Sequence, residues 1–209
     1  MIIFALNPDI KRLKMAERKA TVTRRTKETS IKVEVNIDGS SQFDITTGIR
    51  FFDHMLCQLA QHGIFDLKIS ANGSDQHHVV EDVAITLGRA FNQALGEKQG
   101  IVRMGQAIVP MDDALAMVAL DISGRGQAVI EDSIKEAYIS EMHSDLINHF
   151  FTSFAAEARI NIHAQVMRGN NDHHKAEALF KALARALDTA TRFDPRISGT
   201  VPSTKESLD

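Results

Sequence analysis

The pattern His-His-x-x-Glu occurs twice in this chain, as His77-His78-Val79-Val80-Glu81 and as His173-His174-Lys175-Ala176-Glu177. A third histidine precedes each copy, His54 by 23 positions and His149 by 24, and the two halves run at an offset of 95 or 96 positions. At the His and Glu frequencies of this sequence, one such pattern arises by chance in roughly 0.02 of chains and two in roughly 0.0002. An internal duplication is the simplest account, and it requires a fold of two matched halves. The halves are expected at residues 18–100 and 101–209, after an N-terminal extension of residues 1–17.

The hydrophobic periodicity gives each half the same order of elements. Ile31, Val33, Val35 and Ile37 alternate with polar residues, the mark of a half-buried strand, and Asp38-Gly39 closes it with a turn. A second strand at 42–46 is expected to pair with it. From Phe51 the period becomes helical through Phe52, Met55, Leu56 and Leu59, with Gly63 placed to end the helix. A strand at 65–71 and a polar loop at 72–76 lead to a second helix that begins at His77 and stops at Gly96. In the second half, strands are expected at 106–111, 115–122 and 126–130. A helix carrying His149, a strand at 160–167 and a last helix beginning at His173 follow. The expected class is α/β, an internally duplicated two-half domain with the helices packed between two β-sheets.

With 44% hydrophobic residues the chain is able to bury an ordinary core. A formal net charge of -3 argues against a nucleic-acid partner, so an anionic ligand needs a local basic cluster. No apolar run approaches the roughly 18 residues that span a bilayer. The lone Cys57 suits a reducing, cytoplasmic setting.

Residues four apart lie on one face of a helix, so His77 with Glu81, and His173 with Glu177, can each clasp one ion. His78 and His174 are turned about 100° from their neighbours and face a different ion. The expected sets are His77, Glu81, His174 and His54 for one ion, and His173, Glu177, His78 and His149 for the other, drawn from one polypeptide or two. Nitrogen and oxygen donors without thiolate suit Mn, Fe, Co or Zn, with shell positions left for water or substrate. Basic residues in short contexts, Arg103, Arg125, Lys181 and Lys205 with Ser203, point together to a bound phosphate.

The chain resembles the imidazoleglycerol-phosphate dehydratases over about residues 18–209. The resemblance rests on residues 24–29, Thr47-Gly48 with 51–56, the cluster 77–82, Pro110-Met111-Asp112, Asp121 with Ser123-Gly124-Arg125, residues 173–181, and Pro202-Ser203-Thr204-Lys205. It implies dehydration of imidazole glycerol phosphate to imidazole acetol phosphate in histidine biosynthesis. It also implies two Mn(II) ions per active site, and trimers assembled into a 24-subunit homo-oligomer with sites between subunits. Position by position, His54, His77, His78, Glu81, His149, His173, His174 and Glu177 match the family's metal ligands. Arg103, Arg125, Lys181, Ser203 and Lys205 match its phosphate contacts, and Glu28 and His62 its acid–base or positioning residues. Departures are the short loop 72–76, Val79 where threonine is usual, and Arg50 and Glu206 where glycine is usual.

The implied substrate loses a hydroxyl and a carbon-bound proton that no carbonyl activates. Its imidazole ring must be the electron sink, expelling the hydroxyl to give a diazafulvene that then loses the proton. Glu28 leads as the group moving that proton, with His62 and a metal-bound water as alternatives. The rival enzyme reading is a dinuclear metallohydrolase of phosphate esters, and the non-enzymatic rival is a metal-storage protein. Six histidines to two carboxylates count against the first, and the basic cluster against the second.

Overall fold

The computed structural model describes residues 17–208, so all but the last residue of the expected N-terminal extension lies outside it. The first half comprises β1 (Lys19–Arg25), β2 (Thr29–Asn36), β3 (Phe43–Thr46), α1 (Arg50–Gly63), β4 (Asp66–Gly73) and α2 (Gln76–Leu95). The second comprises β5 (Met104–Met111), β6 (Ala114–Asp121), β7 (Gln127–Glu131), a short hairpin of β8 (Tyr138–Ile139) and β9 (Met142–His143), α3 (Asp145–Ala158), β10 (Asn161–Arg168) and α4 (Asp172–Thr191). Each half makes a four-stranded sheet, in the orders β1-β2-β4-β3 and β5-β6-β10-β7. The hairpin of β8 and β9 is confined to the second half.

In both sheets three strands are antiparallel and the fourth, β3 or β7, runs parallel to its neighbour. A parallel pair needs a crossover, and α1 and α3 supply it, forming β3-α1-β4 and β7-α3-β10 units. The strand at 42–46 therefore does not pair with β2 as expected, because β4 lies between them. Asp66 accounts for the detour. Its carboxylate accepts hydrogen bonds from the Ser40 and Gln42 backbone N–H groups and from Asn36 Nδ2. Gly39 runs so close to Asp66 that a Cβ there would lie 2.3 Å from its backbone nitrogen. The loop is thus carried past β4 to its far edge.

The four helices lie between the sheets, and they pair across the halves: α2 packs on α3, and α1 on α4. One sheet covers α2 with β1, β2 and β4, and the other covers α4 with β5, β6 and β10. Ile31, Val33 and Val35 of β2, and Ala116, Val118 and Leu120 of β6, point inward as their alternation requires. Between the helices Phe150 stacks on Phe180 at 5.0 Å, and Phe52 meets its edge at 5.6 Å. Burying each such ring contributes about 1.5–3 kcal/mol, which fixes the helix pairs that carry the histidines.

Gly63 does not serve as the left-handed helix terminus. It is the last helical residue, and a Cβ there would strike the Phe65 ring at 2.2 Å. Ile64 takes the left-handed conformation instead (φ 59°), and Arg159 does the same after α3 (φ 58°). Among the described residues no helix is long and apolar enough to cross a membrane.

Candidate metal centre

The two helices that open on a His-His pair, α2 and α4, are started by a side-chain cap. Asp75 accepts a hydrogen bond from the His78 N–H (3.0 Å), and Asn171 from the His174 N–H (3.2 Å). The caps set the first turns of α2 and α4 so that each His-x-x-x-Glu pair faces its partner helix.

Two three-residue clusters result, with the donor atoms of each within 4.8 Å of one another. In one, His54 of α1 meets His173 and Glu177 of α4. Glu177 Oε2 lies 3.2 Å from His54 Nε2 and 3.4 Å from His173 Nε2. In the other, His149 of α3 meets His77 and Glu81 of α2. The His77 and His149 rings stack at 4.5 Å, and His149 Nε2 lies 3.6 Å from Glu81 Oε1. His149 Nε2 is buried and has no hydrogen-bond partner among the described residues. A buried ring nitrogen left without a partner is costly unless a cation takes its lone pair. With imidazole and carboxylate donors and no thiolate, both clusters fit a divalent transition metal.

The structure regroups the expected ligand sets. His54 was expected with His77 and Glu81, and His149 with His173 and Glu177; the two have exchanged places. The reason is the helix pairing, since each third histidine rides on a helix that packs against the other half. His78 and His174 stand in neither cluster. The His78 Nδ1 pairs with Asp75, and its Nε2 lies 3.5 Å from Glu28 Oε2. The His174 Nδ1 lies 2.7 Å from Asp113 Oδ1, and its Nε2 is 3.5 Å from Asp112 Oδ2. Each ring is therefore held through Nδ1 by one carboxylate, with its Nε2 facing a second. The hydrogen bond that His78 donates to Asp75 raises the His78 pKa, and the one from His174 helps hold Asp113 well below the usual carboxylate range.

The clusters differ in charge environment. Glu177 is nearly buried, and burial drives its carboxyl upward, but hydrogen bonds from Lys181 (2.7 Å) and His54 outweigh this and hold it low. Glu81 is more exposed, and Ile85 occupies the position equivalent to Lys181. His62 closes the last turn of α1, outside both clusters. Burial and the charges of Lys181 and Arg185 push its pKa down.

Of the basic residues, Arg103 and the tail come together. Arg103 forms a two-pronged ion pair with Asp121 (2.7 and 2.9 Å) and donates from Nη1 to the Pro202 carbonyl, adjacent to Ser203. The Ser203 hydroxyl accepts the Lys205 N–H. Lys181 stands beside Glu177 and Met111, and Arg125 is exposed on the turn after β6. Glu206 has φ 59°, which explains why glycine suits that position, whereas Arg50 is an ordinary first helical residue with an exposed side chain. Sequence reasoning missed the carboxylates that pair with His78 and His174, Asp75 and Asp113. The recurrence of a capping residue two positions before each His-His, Asp75 and Asn171, was the available signal.

The imidazoleglycerol-phosphate dehydratase family model matches residues 47–187. An imidazoleglycerol-phosphate dehydratase of Dehalococcoides mccartyi (strain CBDB1) is 60% identical over 195 residues, covering 93% of this chain and all of the relative. That of Methanothermobacter thermautotrophicus is 53% identical over 194 residues, covering 91% and 98%. The crystal structure of the Pyrococcus furiosus enzyme in complex with (S)-C348 superposes with TM-score 0.79 at 38% identity, over 90% of this chain and 100% of that one. The Staphylococcus aureus dehydratase gives TM-score 0.78 at 34% identity, over 84% and 99%. The metallohydrolase alternative gains no support from these relatives. With its duplicated fold, its paired histidine clusters and relatives matched over nearly their whole length, the chain belongs to the imidazoleglycerol-phosphate dehydratase family, the hydro-lyases of histidine biosynthesis.

Proposed function

We propose that the two clusters hold two Mn(II) ions per active site and that the chain there converts imidazole glycerol phosphate to imidazole acetol phosphate in the cytoplasm. The observation that carries the metal reading is the pair of matched three-ligand clusters, one of which contains the partnerless buried nitrogen of His149. His54, His173 and Glu177 would hold one ion, and His77, Glu81 and His149 the other. When bound, the metal supplies Lewis acidity toward the substrate's ring nitrogens. His78 and His174, which stand in neither cluster, would complete the shells of a neighbouring copy in a homo-oligomer built from trimers into a 24-subunit particle.

The surface supports such assembly. Met104, Ile108, Val129 and Met167 are exposed on the outer face of the second sheet, whereas the outer face of the first presents polar residues, among them Thr21, Thr23, Lys32 and Lys68. In the reaction, Glu28 moves the carbon-bound proton from its exposed turn, with His62 as the alternative group. Arg103, Arg125, Lys181, Ser203 and Lys205 orient the phosphate and hence the side chain.

Incubation with imidazole glycerol phosphate, with and without Mn(II), tests this reading. Ketone should form only in the loaded protein, with the phosphate ester intact. Release of inorganic phosphate without ketone would overturn it.

A further inference from the structure

The turn that carries Glu28 is tied to α2 by a polar group that the repeat does not require. Asp82, next to Glu81, is buried at 5% exposure and has both carboxylate oxygens engaged. Arg24 Nε donates to one at 2.6 Å, and the buried Thr29 hydroxyl donates to the other. Thr29 directly follows Glu28, and the Thr26 hydroxyl accepts the backbone N–H groups of both (3.1 and 3.0 Å). The Ser74 N–H binds the Glu28 carbonyl at 3.2 Å, and Gly73 lies so close beneath that a Cβ would press on Val79 and the Thr29 methyl.

The duplication supplies an internal control. By the repeat offset and the strand registers, the counterparts of Asp82, Thr29 and Arg24 are Ala178, Ala114 and Val109. The second half thus packs the same helix on the same hairpin with three apolar residues, Ala178 and Ala114 fully or nearly buried. Burying a carboxylate beside a hydroxyl and a half-buried guanidinium is no route to extra stability over such packing. Both hairpin turns carry a carboxylate at this register position, Glu28 in the first half and Asp113 in the second, but Asp113 is held directly by His174 and the Asn170 and Asn171 N–H groups, whereas the turn of Glu28 is tied to its helix through Asp82.

We propose that Asp82, acting through Thr29 and Arg24, is a positioning residue that fixes the Glu28 carboxylate for proton transfer. This rests on Glu28 being the proton-transfer group. A displacement of the order of 1 Å in such a group lowers turnover by up to about 10²-fold while leaving substrate contacts elsewhere in place.

The test is a double-mutant cycle in the full-length, Mn(II)-loaded protein. Thr29→Val removes the hydroxyl and nearly preserves shape, Thr29→Ser retains the hydroxyl, and Asp82→Asn probes the carboxylate; each is made in the parent and in Glu28→Gln. Thr29→Val should lower kcat about tenfold with KM and bound Mn(II) unchanged, and Thr29→Ser should recover most of the loss. In the Glu28→Gln background the same change should alter kcat by less than about twofold, because the group being positioned is gone. An equal fold-loss in both backgrounds, or a loss that tracks metal content, would overturn the positioning role. Near-parental turnover of Glu28→Gln itself would overturn the role of Glu28 and the proposal with it.

Discussion

His54 and His149 each sit within reach of a glutamate that belongs to the other half of the chain, and this separates what single residues reveal from what they hide. The pairs His77/Glu81 and His173/Glu177 are legible because a four-residue step on a helix is a local fact. The partner of each third histidine depends on which helices touch, and the phenylalanine packing that decides it leaves no mark in residue spacing. Because the clusters are equivalent in ligand type, His77→Ala and His173→Ala should reduce turnover comparably, each with loss of bound metal measured on the purified variant. Full turnover of either at limiting Mn(II) would separate the two ions. Arg103 plays two parts, since its guanidinium holds Asp121 and the Pro202 carbonyl of the tail. Arg103→Ala is therefore expected to weaken both substrate binding and inhibition by inorganic phosphate, with metal content unchanged. It should also speed proteolysis of the residues after 200, a signature that loss of a bare phosphate contact would not give.

Among the elements, those with a long apolar periodicity were legible even where they bury polar groups, as α2 does with Asp82 and α4 with Lys175, and those with a short or interrupted one were not. β1 went unread because its inward residues are Ala20, Val22 and Arg24, the last engaged with Asp82. The order of strands was hidden for another reason: the parallel placement of β3 depends on Asp66, a residue of β4 more than twenty positions away. Helix ends expose the limit of reading glycine as a terminator. Gly63 is needed for space beside Phe65, while the left-handed position falls to Ile64, a β-branched residue with 48% of its surface exposed. Relief of the left-handed strain at Ile64 should stabilise the fold, so Ile64→Gly is expected to raise unfolding free energy by about 1 kcal/mol in a denaturant titration. Gly105→Ala should do the reverse and by more, since a Cβ there would lie 2.0 Å from the Ala186 carbonyl oxygen. A destabilised Ile64→Gly protein would mean that the Ile64 side chain contributes packing that outweighs its backbone cost.

For the whole molecule, the duplication was readable from the numbering, and the layered α/β arrangement followed from it. The way the helices cross between halves was not. Within one chain each cluster brings together three potential ligands, while His78 and His174 stand in neither and are each paired with a carboxylate through Nδ1. If neighbouring copies complete the shells, metal and assembly are linked, because an ion bound only in the assembled state favours that state by mass action. Chelation should then dissociate a large particle and Mn(II) should rebuild it, as followed by light scattering. An unchanged particle after verified metal removal would refute that linkage. The paired use of the two clusters is decided by titrating metal-free protein with Mn(II) while bound metal and ketone formation are measured together. Turnover should stay low through the first ion per chain and rise as the second binds. Full turnover at one Mn(II) per chain would contradict a reaction that needs both clusters.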